Sequence, residues 1–209
     1  MTEQENKTID KREQILDVAE DLFSLHGFEA VSVREISKAA DINIAMISYY
    51  FGSKEKLYEE VVIRKLTTSD KIIDVISKQE KYADKLYAII DLYIDRFFAN
   101  RKLNNIIFRE MALGQRTEMT ELITERLFQN FQIISEVIKK GIKSGEFNKV
   151  DVELTATTII GTIKLYTTST PIVCRILKIN ESDMSYTNKM KKRLSVYFRE
   201  LFSNYLEIK

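Results

Sequence analysis

Residues 32 to 57 read SVREISKAADINIAMISYYFGSKEKL, and this stretch decides the fold of the N-terminal part of the chain. Ser32 and Glu35 have the spacing of a capping box, in which each side chain binds the backbone N–H of the other residue at the start of a helix. We therefore predict a short helix over residues 33–40. The Asp-Ile-Asn sequence that follows tolerates turn and capping conformations, so a second short helix should begin at Ile44.

The second short helix has a clear inner and outer side. Ile47 and Phe51 lie four residues apart and should face inward, whereas Ala45, Ser48 and Tyr49 project to the opposite side. Two short helices joined by a tight turn form a helix-turn-helix, whose second helix enters a DNA major groove. The residues that we predict to contact DNA are Arg34, Asn43, Ile44, Ala45, Met46, Ser48, Tyr49, Tyr50 and Lys54.

Two cations in this set have alternative roles. Lys54 stands in the first turn of the next predicted helix, where a positive charge opposes the helix dipole, and this position favours contact with an external anion such as a phosphate. The alternative for Lys54 is a solvated surface side chain. Arg34 fits a base or phosphate contact and a surface ion pair equally well, and an ion pair of that kind would contribute only ~0.2–1 kcal/mol.

The charge of the N-terminal part argues against indiscriminate DNA binding. Residues 1–64 contain eight Lys or Arg and thirteen Asp or Glu, a formal charge of −5. Nucleic-acid-binding domains are usually basic. Specific binding therefore requires that the few cations lie on the DNA-facing surface and the acids behind it, with helix N-termini adding partial positive charge towards phosphates.

The composition indicates an all-α protein of the cytoplasm. The 209 residues include one Pro, six Gly and one Cys, with 44% hydrophobic and 30% charged residues. No apolar run is long enough to span a bilayer, the N-terminal residues are polar, and a single Cys suits a reducing compartment. We find no Gly-rich phosphate loop, nucleophile elbow or cluster of metal-ligating residues, so we predict no enzyme activity, no cofactor and no metal.

Helical periodicity continues along the rest of the chain. We predict a polar, disordered tail over residues 1–8, a helix-turn-helix DNA-binding domain over residues 1–52 that includes this tail, and a second helical domain over residues 53–209. The predicted helices outside the opening stretch cover residues 10–26, 54–74, 82–100, 103–113, 118–144, 152–170 and 186–206.

The N-terminal third of the chain resembles the tetracycline-repressor (TetR) family. The similarity rests on Arg12-Glu13-Gln14-Ile15-Leu16-Asp17-Val18-Ala19 in the first helix, on Gly27-Phe28 after it, and on Tyr49-Tyr50-Phe51 followed by Ser53-Lys54-Glu55-Lys56-Leu57. Two positions depart from the usual pattern, because Asp41 stands where the family has Gly and Ser48 where it has an aromatic residue. The second departure affects one expected DNA contact.

This resemblance implies a transcriptional repressor that binds a palindromic DNA operator as a homodimer and responds to a small molecule. Its C-terminal helical domain would bind the ligand and form the dimer. Aromatic and Met residues at helical spacing there fit either ordinary core packing or a cavity for a hydrophobic or amphipathic effector. The candidate cavity residues are Tyr93, Phe97, Phe108, Met111, Phe131 and Tyr166.

Two segments are candidates for the dimer interface. Residues 152–170 allow close helix approach, and residues 186–206 carry several apolar side chains that we expect on one side of the helix, so the two segments would form a four-helix bundle across the dimer axis. These side chains are Leu194, Tyr197, Phe198, Leu201 and Phe202. A helical scaffold protein that does not bind DNA is the alternative function.

Overall fold

A computed structural model of the chain describes residues 3–66, 69–99, 101–114, 117–180 and 186–207. These residues confirm the all-α fold, and within them the sole β-type contact is an isolated bridge between Phe147 and Glu207. The helices in chain order are α1 (Glu3–His26), α2 (Val33–Ala39), α3 (Ile44–Phe51), α4 (Lys54–Leu66), α5 (Ser69–Ser77), α6 (Tyr82–Ala99), α7 (Arg101–Leu113), α8 (Thr117–Ser144), α9 (Val152–Thr168), α10 (Thr170–Leu177) and α11 (Tyr186–Tyr205).

Two predicted boundaries differ from the structure. The prediction of a disordered tail is wrong for Glu3 to Thr8, which form the first turns of α1. No Gly or Pro interrupts this stretch, and its Glu, Gln and Lys residues have good helix propensity. The helix predicted over residues 54–74 is described as α4 and α5, and residues 67–68 between them lie outside the described residues. No helix in the described ranges is long and apolar enough to cross a membrane.

The chain divides into two compact units. The first unit comprises residues 1–67 and 102–125, and the second comprises residues 68–101 and 126–209. The predicted domain boundary between residues 52 and 53 thus falls inside the first unit, because α4 packs against α1 and α3. It stays a prediction that residues 1–52 bind DNA and that residues 53–209 bind the effector and form the dimer.

The core of the first unit forms around one face of α1. Ile15, Ala19 and Phe23 follow at intervals of four residues, and each is at most 1% exposed. This stripe packs against α2 and α4, which explains why two short helices hold a fixed arrangement. The other buried apolar side chains of helices α2 to α4 are Ile36, Ile47, Phe51, Leu57, Tyr58, Val61, Val62 and Leu66.

The core of the second unit forms around α6, which packs against α5, α9 and α11. Leu194, Phe198 and Phe202 of α11 are at most 2% exposed in the single chain, whereas Tyr197 is 50% exposed. The prediction that these side chains share one interface side is therefore wrong. The spacing of four residues puts the three buried side chains on the inner face of the helix, and Tyr197 projects away from it.

Candidate nucleic-acid interface

The predicted capping box is present at the start of α2. The Ser32 hydroxyl accepts a hydrogen bond from the Glu35 backbone N–H at 3.2 Å, and the Glu35 carboxylate accepts one from the Ser32 backbone N–H at 2.7 Å. The Ser32 backbone and side-chain hydrogen bonds, followed by weaker effects of His26 and Lys54, hold the pKa of Glu35 below its ordinary value. The entry to the helix-turn-helix is thus fixed by local contacts.

The turn between α2 and α3 has the left-handed backbone that glycine usually provides. Asp41 adopts a φ of +48°, a conformation that Asp tolerates better than most residues. Asn43 then caps α3, because its side-chain oxygen accepts a hydrogen bond from the Ala45 backbone N–H at 2.9 Å. The side-chain oxygen of Asn43 is therefore occupied by the cap. The predicted DNA contact of Asn43 would have to come from its side-chain NH2 group.

The orientation of α3 agrees with its predicted inner and outer sides. Ile47 and Phe51 are buried, at 1% and 6% exposure, whereas the Tyr49 side chain is 81% exposed. The other outward side chains are Ile44, Ala45 and Ser48, which are exposed, and Met46 and Tyr50, which are half-buried. Helix α3 therefore presents apolar side chains, one aromatic ring and hydroxyls on its exposed face.

Helix α1 holds both short helices in place. The Gln14 side-chain amide donates a hydrogen bond to the Ala40 carbonyl at the end of α2, at 3.1 Å. The Arg12 guanidinium lies over the Phe51 ring, 5.2 Å from its centroid, at the end of α3. The Arg12 contact thus supports α3 from the side opposite to its exposed face, and the Gln14 contact supports the end of α2.

Acidic residues of the first unit form ion pairs with one arginine of α1 and one of α4. Arg12 forms an ion pair with Glu60, and Arg64 forms one with Asp17 at 2.8 Å. The exposed Arg34 on α2 has no hydrogen bond or ion pair through its side chain to any residue that the structure describes. The structure thus gives Arg34 no ion pair within the described part of the chain, which leaves its guanidinium available to an external anion.

Lys38 is a further candidate that the sequence analysis missed. It is exposed and stands four residues after Arg34, so both cations lie on the same side of α2. Because this spacing is visible in the sequence, it could have identified Lys38 without a structure.

Lys54 is positioned by an aromatic side chain. Its ammonium Nζ lies 4.2 Å from the centroid of the Phe28 ring, in the turn between α1 and α2. Phe28 in turn packs against Tyr58, with ring centroids 4.8 Å apart, and the Tyr58 hydroxyl donates a buried hydrogen bond to Glu110 at 2.9 Å. The sequence did not reveal this connection, because its residues are far apart along the chain.

The candidate effector-binding residues fall in both units. Phe108 and Met111 belong to the first unit, and Met111 is 38% exposed. Four others belong to the second unit, where they form or pack against its hydrophobic core: Tyr93, Phe97, Phe131 and Tyr166. Among these, Tyr93 and Phe97 have ring centroids 6.1 Å apart. Their role in ligand binding stays a prediction.

Comparisons with known proteins agree with this geometry. Residues 15–61 match the profile described as "Bacterial regulatory proteins, tetR family", and residues 79–167 match "Tetracyclin repressor-like, C-terminal domain". The probable HTH-type transcriptional regulator YttP of Bacillus subtilis is 30% identical over 146 residues, which cover 66% of this chain and 68% of that protein. The HTH-type transcriptional repressor KstR2 of Rhodococcus jostii is 26% identical over 160 residues, 69% of this chain and 72% of that protein.

Solved structures show the same fold over nearly the whole chain. The ketosteroid transcriptional regulator KstR2 of Mycobacterium tuberculosis superimposes with a TM-score of 0.74 and covers 95% of both chains, at 18% sequence identity. Fold, helix-turn-helix and sequence similarity together define a DNA-binding transcriptional regulator. The chain belongs to the tetR family of bacterial regulatory proteins.

Proposed function

We propose that this regulator is a repressor that binds a two-fold symmetric DNA operator as a homodimer in the cytoplasm and changes its DNA affinity when a small hydrophobic or amphipathic molecule binds. The observation that carries the proposal is the exposed face of α3, held from behind by α1 and α4. A large aromatic side chain that is 81% exposed, as Tyr49 is, has ring and hydroxyl available to a partner.

The side chains on α3 favour an A·T-rich operator. Residues 44–51 read IAMISYYF and contain no Arg, Lys, Asn or Gln, the residues that make the common bidentate contacts to guanine and adenine. Apolar contact with thymine methyl groups remains available to Ile44 and Ala45. We propose that any guanine preference comes from Arg34, which lies on α2.

Selection of bound duplexes from a random pool, followed by mobility-shift titration of the consensus, tests this proposal. We expect an A·T-rich inverted repeat, and we expect Tyr49→Ala to weaken binding. Leu25→Ala is the matched control, because Leu25 is also an exposed apolar side chain of the first unit, at 64% exposure, but lies on α1. Failure to select any duplex would favour the scaffold alternative, and half-sites centred on G·C pairs would contradict the proposed readout.

We propose that the dimer forms through exposed apolar side chains of the second unit. Leu154 and Leu165 are 65% and 45% exposed and stand eleven residues apart on α9, which is close to three full helical turns, so they lie on one face. Tyr197 and Tyr205 of α11 are 50% and 52% exposed and border a shallow groove of about 400 Å³. Ile172 and Ile176 of α10 add further exposed apolar surface.

We propose that the effector binds among the aromatic side chains of the second unit. The Tyr93 hydroxyl is buried without a hydrogen-bond partner among the described residues, so it can donate a hydrogen bond to a ligand, and burial raises its pKa. A ligand with an apolar body and an acceptor oxygen would satisfy this hydroxyl. The ligand alters DNA affinity to the extent that it binds one dimer conformation better, and a coupling of ~1–3 kcal/mol changes affinity roughly 5–150-fold.

A further inference from the structure

The contact between Lys54 and Phe28 joins a candidate phosphate-binding cation to the interior of the first unit. Lys54 is the first residue of α4, and its ammonium lies over the face of the Phe28 ring, 4.2 Å from the ring centroid. The negative face of an aromatic ring attracts a cation at this distance. Both side chains are half-buried, so the ammonium is held at the surface of the unit rather than extended into solvent.

The Phe28 ring is itself fixed by an aromatic block, which we define as Phe23, Phe28 and Tyr58. Phe28 stacks on Phe23 with centroids 5.7 Å apart, and Tyr58 contacts both rings, at 4.8 Å from Phe28 and 5.0 Å from Phe23. The hydrogen bond from Tyr58 to the buried Glu110 ties this block to α7.

These contacts matter because close packing does not surround Phe28 on all sides. The ring borders two cavities of the first unit, of about 500 and 380 Å³, and Tyr58 lines both as well. With this space beside the ring, the aromatic block is one of the contacts that hold its position. A change in the block would therefore change where the Lys54 ammonium rests.

We propose that Phe28 is a positioning residue for DNA binding, which holds the Lys54 ammonium where it meets a phosphate; this inference rests on the proposed phosphate contact of Lys54. A free lysine side chain loses rotamer freedom when it binds an anion, and the cation–π contact restricts that freedom before DNA arrives. The ring also gives the ammonium a neutral partner, although the Glu35 carboxylate is close enough to feel its charge.

The most specific test changes the charge distribution of the Phe28 ring and keeps its shape. Phe28 is replaced by 3,4,5-trifluorophenylalanine, which weakens the negative ring face, and the dissociation constant for the selected operator duplex is measured at fixed salt. We expect about a two- to five-fold loss of affinity, as for a cation–π contact of ordinary strength. The same replacement in a Lys54→Met background should have no further effect. Phe28→Tyr, which keeps the aromatic face, should bind DNA like the unaltered protein.

Each alternative outcome has a distinct meaning. In one such outcome, fluorination of the Phe28 ring lowers operator affinity equally in the Lys54 protein and in the Lys54→Met background; in another, it leaves the affinity of the Lys54 protein unchanged. Either result would overturn the positioning role of Phe28 and leave the proposed function intact. If Lys54→Met alone leaves both the affinity and the salt dependence unchanged, the phosphate contact is wrong and this inference fails with it. If the unaltered protein binds no duplex, the proposed function itself fails.

Discussion

Two of the buried tyrosines, Tyr58 of the first unit and Tyr93 of the second, differ in whether their hydroxyls have hydrogen-bond partners. Tyr58 in the first unit donates its hydroxyl to Glu110 at 2.9 Å, and both side chains are at most 5% exposed. Tyr93 in the second unit is 6% exposed, and its hydroxyl has no hydrogen-bond partner among the residues described. Because an unpaired buried hydroxyl costs folding free energy, the second arrangement disfavours folding unless a ligand pairs it.

The two units also expose apolar side chains in different ways. The first unit exposes Ile44 and Tyr49 on a helix of eight residues that has small or polar neighbours. The second unit exposes more apolar side chains, of similar size, along α9, α10 and α11. We expect the first surface to meet a polar, grooved partner such as DNA, and the second to meet an apolar partner such as a second copy of the chain.

The largest expected effect is on the folding of the second unit, and it distinguishes the buried side chains of α11 from its exposed ones. Phe198→Asp places a charge at a fully buried position and should unfold the second unit, because an unpaired buried carboxylate is far costlier than a lost contact. Tyr197→Asp, one residue away but 50% exposed, should leave the chain folded and monomeric. Circular dichroism and sedimentation velocity distinguish the two results. A folded, dimeric Tyr197→Asp variant would place the interface elsewhere.

The second largest effect is expected on stability when the hydroxyl of Tyr58, which is paired with Glu110, is removed. Tyr58→Phe removes the hydroxyl donor and leaves the buried Glu110 carboxylate with one hydrogen bond fewer, so we expect a loss of about 1.5–3 kcal/mol in unfolding free energy. Denaturant titration measures the loss. Tyr49→Phe provides the control, because its hydroxyl is on an exposed side chain of the same unit. Equal stability of the Tyr58→Phe and Tyr49→Phe variants would show that the hydrogen bond from Tyr58 to Glu110 does not stabilise the first unit.

A smaller effect concerns the capping box of α2. Ser32→Ala removes the cap and should cost about 1 kcal/mol of unfolding free energy at neutral pH. Because the folded-state pKa of Glu35 is lowered, the contribution of its carboxylate is fully present above its ordinary value of 4.5 and is lost as the pH falls through the folded-state pKa. Thermal unfolding of the unaltered protein and Ser32→Ala from pH 7 to pH 3 should therefore show the difference between their stabilities narrowing in acid, where the bond from the Ser32 hydroxyl to the Glu35 carboxylate is lost, but not vanishing, because the bond from the Glu35 backbone N–H to that hydroxyl does not titrate.

The smallest effect on stability is expected for the unpaired tyrosine. Tyr93→Phe deletes a buried hydroxyl without a described partner, so unfolding free energy should stay the same or rise slightly. The same substitution should weaken binding of a ligand with a carbonyl acceptor. Benzophenone is the first probe, and diphenylmethane, which has the same two rings but no carbonyl oxygen, is its control. A marked loss of stability would show that the Tyr93 hydroxyl has a structural partner.

Tyr197→Phe is the matched control for this last measurement. It deletes a hydroxyl from an exposed tyrosine of the same unit and should change neither stability nor ligand affinity. If both variants bind the probe as the unaltered protein does, the ligand site does not use Tyr93.

The sequence by itself determined the helix-turn-helix. Its features are local: Ser32 with Glu35 caps α2, Asp41 accepts the left-handed turn, and Ile47 with Phe51 defines the inner side of α3. Each depends on residues within a few positions of one another, so helical periodicity and capping chemistry suffice to predict it. The Arg34–Lys38 pair on α2 was accessible by the same reasoning.

Only the tertiary structure decided which long-range partners these elements have. Helix α11 carries apolar side chains on more than one side, so its periodicity could not show that Phe198 is buried and Tyr197 exposed. The hydrogen bond between Tyr58 and Glu110 joins residues 52 positions apart, and no local signal specifies such a pair. Contacts of this kind depend on how whole helices pack, because burial and pairing are set by the neighbouring helix rather than by the neighbouring residue.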